Sequence, residues 1–276
     1  MLTSLTEVLK IAQERNCAVG SFNTPNLESI HAVLAAAEEL NEPVILMHAQ
    51  VHEEMGLAKL EEIGNIMLYM AEKAKVPVCV HLDHGTDVDY IRRALEVGYT
   101  SVMYDGSVLS LEENYANTCR TVELAAKYGV DVEAEVGSMG SREGDEADGE
   151  SIYTDPAEAK QFVEQTGINA LACAFGTAHG IYLKEPKLDF PRLEKIASLV
   201  DVPLVMHGGS GVSEENYRTA IALGIRKINY YTYMAKAGGT AVAAMSDRTL
   251  FHDIAVAAER GMKEDAKRAM QLFSLR

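Results

Sequence analysis

Short apolar runs rich in β-forming residues recur along the chain, each ending in polar residues or glycine. They are AVGSFN (18–23), PVILMHA (43–49), PVCVHLD (77–83), SVMYDG (101–106), DVEAEVG (131–137), INALACAFG (168–176), PLVMHGG (203–209) and KINYYT (227–232). Stretches with apolar residues at helical period lie between most of them: LESIHAVLAAAEEL, DVDYIRRALEVG, EENYANTCRTVELAAKYG, DPAEAKQFVEQTG, DFPRLEKIASLV and SEENYRTAIALG. Eight strands, seven helical spacers and a helical tail predict an α/β fold, a (β/α)8 TIM barrel that occupies residues 1–276 as a single domain. An open doubly wound sheet is the alternative, but its first strand would lead into GxGxxG, and AVGSFNTPNLES does not.

Helix boundaries carry their own signals. Thr154 or Asp155 is the expected N-cap of the helix holding Pro156 in its first turn, and Gly167 is its stop; Ser213 and Gly224 repeat the scheme. The N-terminal MLTSLTEVLKIAQERN reads as an amphipathic helix rather than a signal peptide. Residues 137–153, GSMGSREGDEADGESIY, are acidic, glycine-rich and without periodicity, and are expected to form a mobile loop at the active site, the alternative being a merely solvated excursion.

Charge narrows the function. With 25 Lys and Arg against 41 Asp and Glu the net charge is −16, which argues against a nucleic-acid partner, because phosphate neutralisation needs clustered cations. A small anion is still admissible, since backbone amides and a metal hold one locally. No apolar run is long enough for a membrane span, and four cysteines without CxxC spacing fit a reduced, cytoplasmic protein.

In a barrel, chemistry collects where strands end. The polar residues fall there: Asn23, then His81, Asp83 and His84, then Asp105, Glu133 and Glu135, His179, His207, and Asn229 with Thr232. Imidazoles His84, His179 and His207 end strands 3, 6 and 7 and are expected to converge on a metal with an open position, with His48 the competing histidine. Asp83 either orients a histidine or shuttles a proton. Asp105 and Glu135 either form a second or alternative metal position or accept hydrogen bonds inside the barrel. The run His207-Gly208-Gly209-Ser210-Gly211 faces Asn229–Thr232 across the site where such barrels hold phosphate, so the expected ligand is a phosphorylated small molecule.

These residues resemble the class II metal-dependent ketose-bisphosphate aldolases, in particular the tagatose- and fructose-bisphosphate group. The resemblance covers nearly the whole chain and rests on Ser21-Phe22-Asn23, Val80-His81-Leu82-Asp83-His84-Gly85, the segment from Ser101 to Gly106, Val132-Glu133-Ala134-Glu135-Val136-Gly137 continuing to Gly140-Ser141-Arg142-Glu143, Gly176-Thr177-Ala178-His179-Gly180, and the 207–211 run. It implies reversible cleavage of a phosphorylated ketose to dihydroxyacetone phosphate and an aldehyde, with Zn2+ on His84, His179 and His207. Asp83 would be the acid/base and Glu143 a proton-transfer group at the triose carbon. Asp105 and Glu135 would line an alternative metal position, and a monovalent cation is a further implied ligand. Gly180, Gly208, Gly209, Ser210, Asn229 and Thr232 match triose-phosphate positions, Asn23 would position substrate, and a homodimer or homotetramer is implied. Tyr230 and Tyr231 stand where the family usually has a small polar or aliphatic pair, and are expected to reshape the phosphate end of the pocket.

Three competing readings remain. A zinc hydrolase on this barrel would carry HxH on strand 1, where Ser21-Phe22-Asn23 stands. A Schiff-base aldolase needs an inward lysine at a strand's C-terminal end, whereas Lys227 opens strand 8 at the wrong end and Lys184 lies in a loop. The third is a metal-binding relative without catalysis.

Overall fold

The computed structural model describes residues 1–138, 153–182, 184–246 and 250–276. Its order is α1 (Leu5–Arg15), β1 (Val19–Asn23), α2 (Leu27–Leu40), β2 (Val44–Ala49), α3 (Gln50–Glu54), α4 (Leu60–Lys73), β3 (Val78–Gly85), α5 (Val88–Val97), β4 (Ser101–Tyr104), α6 (Leu111–Ala126), β5 (Asp131–Val136), α7 (Pro156–Thr166), β6 (Ala170–Cys173), α8 (Phe190–Ala197), β7 (Leu204–Met206), α9 (Glu214–Ala222), β8 (Ile225–Tyr230), α10 (Thr232–Ala243) and α11 (Phe251–Phe273). The strands are all parallel and close as β1-β2-β3-β4-β5-β6-β7-β8, with β8 pairing back onto β1. The expected (β/α)8 barrel is therefore present.

Alternation along each strand sorts the core into two volumes. Outward residues such as Val78, Val80 and Leu82 of β3 pack against the helices. Inward residues at the strand starts, Val19, Ile45, Cys79, Ala170 and Val205, form a separate apolar cluster with Leu5, Val8, Leu9 and Ala12 of α1. The N-terminal helix thus closes the bottom of the barrel. Towards the strand ends the interior turns polar, with Asn23, His81, Asp83, Glu133, Glu135, His207, Lys227 and Asn229 all buried. A dry lower half beneath a polar upper half places the chemistry at the C-terminal mouth.

Caps follow the side-chain chemistry. Asp155 is the N-cap of α7, accepting from the backbone N–H groups of Ala157 and Glu158, and Gly167 ends that helix with φ 71°. Thr154 instead accepts from Ala174 N and donates to Val136 O, tying the β5 and β6 segments together. Ser213 stands at the N-cap of α9 without a side-chain capping bond. Strand β8 starts two residues before the sequence pattern suggested and ends at Tyr230, so Thr232 is the first residue of α10 rather than part of the strand. No helix among the described residues is long and apolar enough to cross a membrane.

Candidate metal centre and substrate pocket

His84 reaches the barrel mouth through an irregularity in β3. Leu82 lies opposite Val102, but Gly85, not His84, lies opposite Tyr104, so β3 carries one extra residue there. Across that bulge His84 takes a left-handed backbone with φ 48°, a conformation that costs an L residue about 1–2 kcal/mol. Regular alternation would send Asp83 and His84 to opposite faces of the sheet. The bulge lets both line the same cavity.

His179 arrives from the loop after β6 and His207 directly follows β7. One ring nitrogen from each of His84, His179 and His207 lies within 4.8 Å of the others, and one atom each of His84, Asp105 and Glu135 forms a second such group. The sequence-predicted triad is thus brought together, and His48 is in neither group. His48 Nε2 instead sits 2.9 Å from the Tyr90 hydroxyl, which donates to Glu53.

The donor atoms fit a divalent metal. His84 Nδ1 lies 2.6 Å from Asp105 Oδ2 and His207 Nε2 lies 2.8 Å from Glu133 Oε1. Each carboxylate takes one ring N–H, which leaves His84 Nε2 and His207 Nδ1 as the other ring nitrogens. Both are buried and have no hydrogen-bond partner among the described residues. An imidazole fixed by a carboxylate on one side and open on the other is the usual state of a metal-binding histidine. Burial, then the neighbouring His84 and His207 charges, push His179 down to about 3, and burial likewise lowers His207, so both favour the neutral form that binds metal. At His84 burial acts downward, but Asp83, the Asp105 hydrogen bond and charge, and Glu135 outweigh it and raise the ring to about 10. Loading a metal there must expel a proton.

Asp83 is 4% exposed and is gripped from both sides. Asn23 Nδ2 donates to one carboxylate oxygen and Asn229 Nδ2 to the other, each at 3.0 Å. Burial alone would favour its protonated form, but the charges of His84, His207 and Lys227 hold it well below the usual carboxylate range.

The cavity above these groups measures about 420 Å³. Gly180, Gly208, Ser210, Asn229, Tyr231 and Thr232 are among the residues that line it. Gly208 is required by geometry: its φ is 59°, and a Cβ there would lie 2.5 Å from Ala178 O. Its carbonyl accepts from Tyr182 Oη at 3.0 Å, and Ser210 Oγ accepts from Tyr231 N at 3.0 Å, so the loop after β7 is held in place.

Two of the expected ligand-binding residues spend their polar groups elsewhere. Gly209 does not offer its N–H to a ligand, because that group donates to Asn229 O at 3.1 Å. Tyr230 borders the cavity, but its phenol turns outward into the helical layer, between Phe22 and Phe273, and donates to Asp265 at 2.8 Å. Alternation along β8 explains this, because Asn229 faces inward. Tyr231 alone presents its ring on the mouth side, 5.2 Å from the His52 ring. His52 and its neighbours on α3 were not identified in the sequence, since they belong to a short helix with no motif of its own. Glu143, with residues 139–152 of the expected active-site loop, lies outside the described residues.

The fructose-bisphosphate aldolase class-II family model matches residues 3–276. The chain belongs to the class II fructose-bisphosphate aldolase family. Among its relatives, the fructose-bisphosphate aldolase of Geobacillus stearothermophilus is 43% identical over 233 residues, 84% of this chain and 81% of that protein. The uncharacterized YdjI protein of Escherichia coli is 38% identical over 263 residues, 95% of this chain and 94% of its own length. The crystal structure of the YdjI aldolase superposes with a TM-score of 0.89 at 36% identity, covering 99% of this chain and 97% of that one. As a member of this family the chain is an aldolase, a carbon–carbon lyase, and the family in general depends on zinc and acts on phosphorylated sugars.

Proposed function

We propose that this enzyme reversibly cleaves a phosphorylated ketose to dihydroxyacetone phosphate and an aldehyde, with Zn2+ held by His84, His179 and His207. The observation that carries the reading is the meeting of three imidazole nitrogens within 4.8 Å directly beside the buried Asp83 carboxylate. When bound, zinc supplies a Lewis acid that stabilises the negative charge developing on the substrate's carbonyl oxygen. Asp105 and Glu135 are the alternative metal position.

Asp83 takes the proton of the C4 hydroxyl in cleavage and returns it in condensation. Asn23 and Asn229 hold the carboxylate in one orientation, so no side-chain rotation is needed before transfer. The triose phosphate rests on Gly180, Gly208 and Ser210, near the start of α10. The N-cap of that helix, Tyr231, makes no side-chain capping bond, which leaves the first-turn N–H groups to face an anion. A lysine imine is disfavoured at Lys227, whose Nζ is fully buried and paired with Glu133 at 2.9 Å.

No Lys or Arg is among the described residues lining the cavity, whereas Glu54, Asp83, Asp105 and Glu135 are. A screen of ketose 1-phosphates against ketose 1,6-bisphosphates, with released triose phosphate coupled to a reductase, therefore tests the reaction and the substrate together. Release of triose phosphate from at least one ketose, abolished by chelator and restored by zinc, is the expected result. Failure to release it from any of them overturns the reading. A homodimer or homotetramer and a cytoplasmic location belong to the same proposal, the latter supported by four free cysteines.

A further inference from the structure

One buried cation touches both halves of the site without bordering the cavity. Lys227 is the third residue of β8, and its side chain enters the barrel interior with no exposed surface. The sequence pattern places it at the opening of the strand, at the wrong end for a Schiff-base lysine, whereas β8 begins two residues earlier. Its Nζ lies 2.9 Å from Glu133 Oε2 and 3.2 Å from Glu133 Oε1, and donates to Asn229 Oδ1 at 2.8 Å.

Each contact fixes an ambiguity. An ammonium has donors and no acceptor, so Asn229 must turn its amide oxygen towards Lys227. The amide nitrogen then faces the other way, and it is this nitrogen that donates to Asp83 at 3.0 Å. With the amide reversed, a carbonyl oxygen would oppose the carboxylate, and the grip would become a repulsion. At Glu133 the same ammonium compensates a fully buried carboxylate that would otherwise be costly to keep ionised. That carboxylate takes the Nε2 proton of His207 at 2.8 Å, which leaves Nδ1, buried and without a hydrogen-bond partner among the described residues, as the nitrogen open to a metal.

We infer that Lys227 is a positioning residue, which through Asn229 sets the orientation of the acid/base Asp83 and through Glu133 sets the tautomer of the metal ligand His207. The inference rests on the proposed roles of Asp83 and His207. It concerns a residue that touches neither substrate nor metal, and it couples proton transfer and metal binding to a single ammonium.

The test uses Lys227→Met and, because that change alone strands a buried carboxylate, the charge-neutral double variant Lys227→Met/Glu133→Gln. Circular dichroism and thermal melting establish folding, which the double variant is expected to retain because the ammonium and the carboxylate it pairs with are removed together. Zinc affinity is read by competition with a chromophoric chelator, with no substrate present. Turnover is then measured at saturating zinc. We expect zinc affinity to fall about tenfold or more, and kcat to fall about 100-fold with KM within about threefold. A residue that only supports the fold would lower stability while leaving the zinc affinity and the kcat of the folded fraction unchanged. Wild-type values for either readout in the folded double variant overturn the inference. A wild-type enzyme that neither binds zinc nor cleaves a ketose phosphate would instead overturn the proposed function on which it stands.

Discussion

His84 Nδ1 and Asp105 Oδ2 are 2.6 Å apart, at the point where the bulge of β3 and the end of β4 meet. The pair fixes the direction of the histidine ring, and Asp105 is itself anchored because its Oδ1 accepts from Ser107 N at 3.0 Å. One carboxylate thereby determines which nitrogen of His84 is open to a metal. Removing it as Asp105→Ala frees the ring to rotate and lowers its basicity. Zinc affinity should fall about 10- to 100-fold. Chelator competition measures this directly, and an unchanged affinity would show that the bulge alone orients His84.

Asp83→Ala separates proton transfer from metal binding. The carboxylate belongs to neither metal group, so zinc stoichiometry and affinity should stay near wild type. Cleavage should drop by about 10²- to 10⁴-fold, the usual contribution of a positioned acid/base. Single-turnover release of triose phosphate, together with metal analysis of the same sample, checks both halves. Loss of zinc in this variant would mean that Asp83 supports the centre rather than the proton transfer.

Much of this site was legible in the sequence because strand periodicity constrains it. Once eight parallel strands are read, the polar residues at their ends gather at a common mouth, and Asp83, His179 and His207 are among them. Other features depend on departures from that regularity. One extra residue in β3 turns His84 inward, and no residue type in His-Leu-Asp-His-Gly marks the bulge. Tyr230 and Tyr231 read as a pair in sequence, yet a period of two sends one ring to the helices and the other to the mouth. Lys227 opens the apolar run in the sequence but is the third residue of β8, and a strand start moved by two residues keeps the facing while shifting the depth. His52 sits on a five-residue helix, too short to show a period of its own.

Tyr230 supplies a prediction about stability rather than catalysis. Its hydroxyl donates to Asp265 at 2.8 Å, while its ring lies 5.9 Å from that of Phe273. Tyr230→Phe keeps the ring packing and removes one hydrogen bond. The loss should be about 1–2 kcal/mol, seen as a lower midpoint in urea unfolding. KM for the ketose phosphate should stay within about twofold. A large rise in KM would instead place the phenol at the phosphate end of the pocket.

The packing of α11 on α2 carries a pH dependence of its own. Glu39 lies 2.8 Å from Lys263 Nζ and 2.6 Å from Lys267 Nζ. Hydrogen bonds from the two lysines, then their charges, lower its carboxyl from 4.5 to about 2. A depressed acid binds fewer protons in the folded than in the unfolded chain, so its stabilising effect is complete above the ordinary value and disappears as pH falls through the folded one. Glu39→Gln should therefore unfold at lower urea than wild type at about pH 7, with the gap narrowing as pH falls from about 4.5 towards 2. Added salt should narrow it as well, because both lysines and the carboxylate are solvent-accessible. A gap that is constant with pH would show that the glutamate acts through its packing and not through its charge.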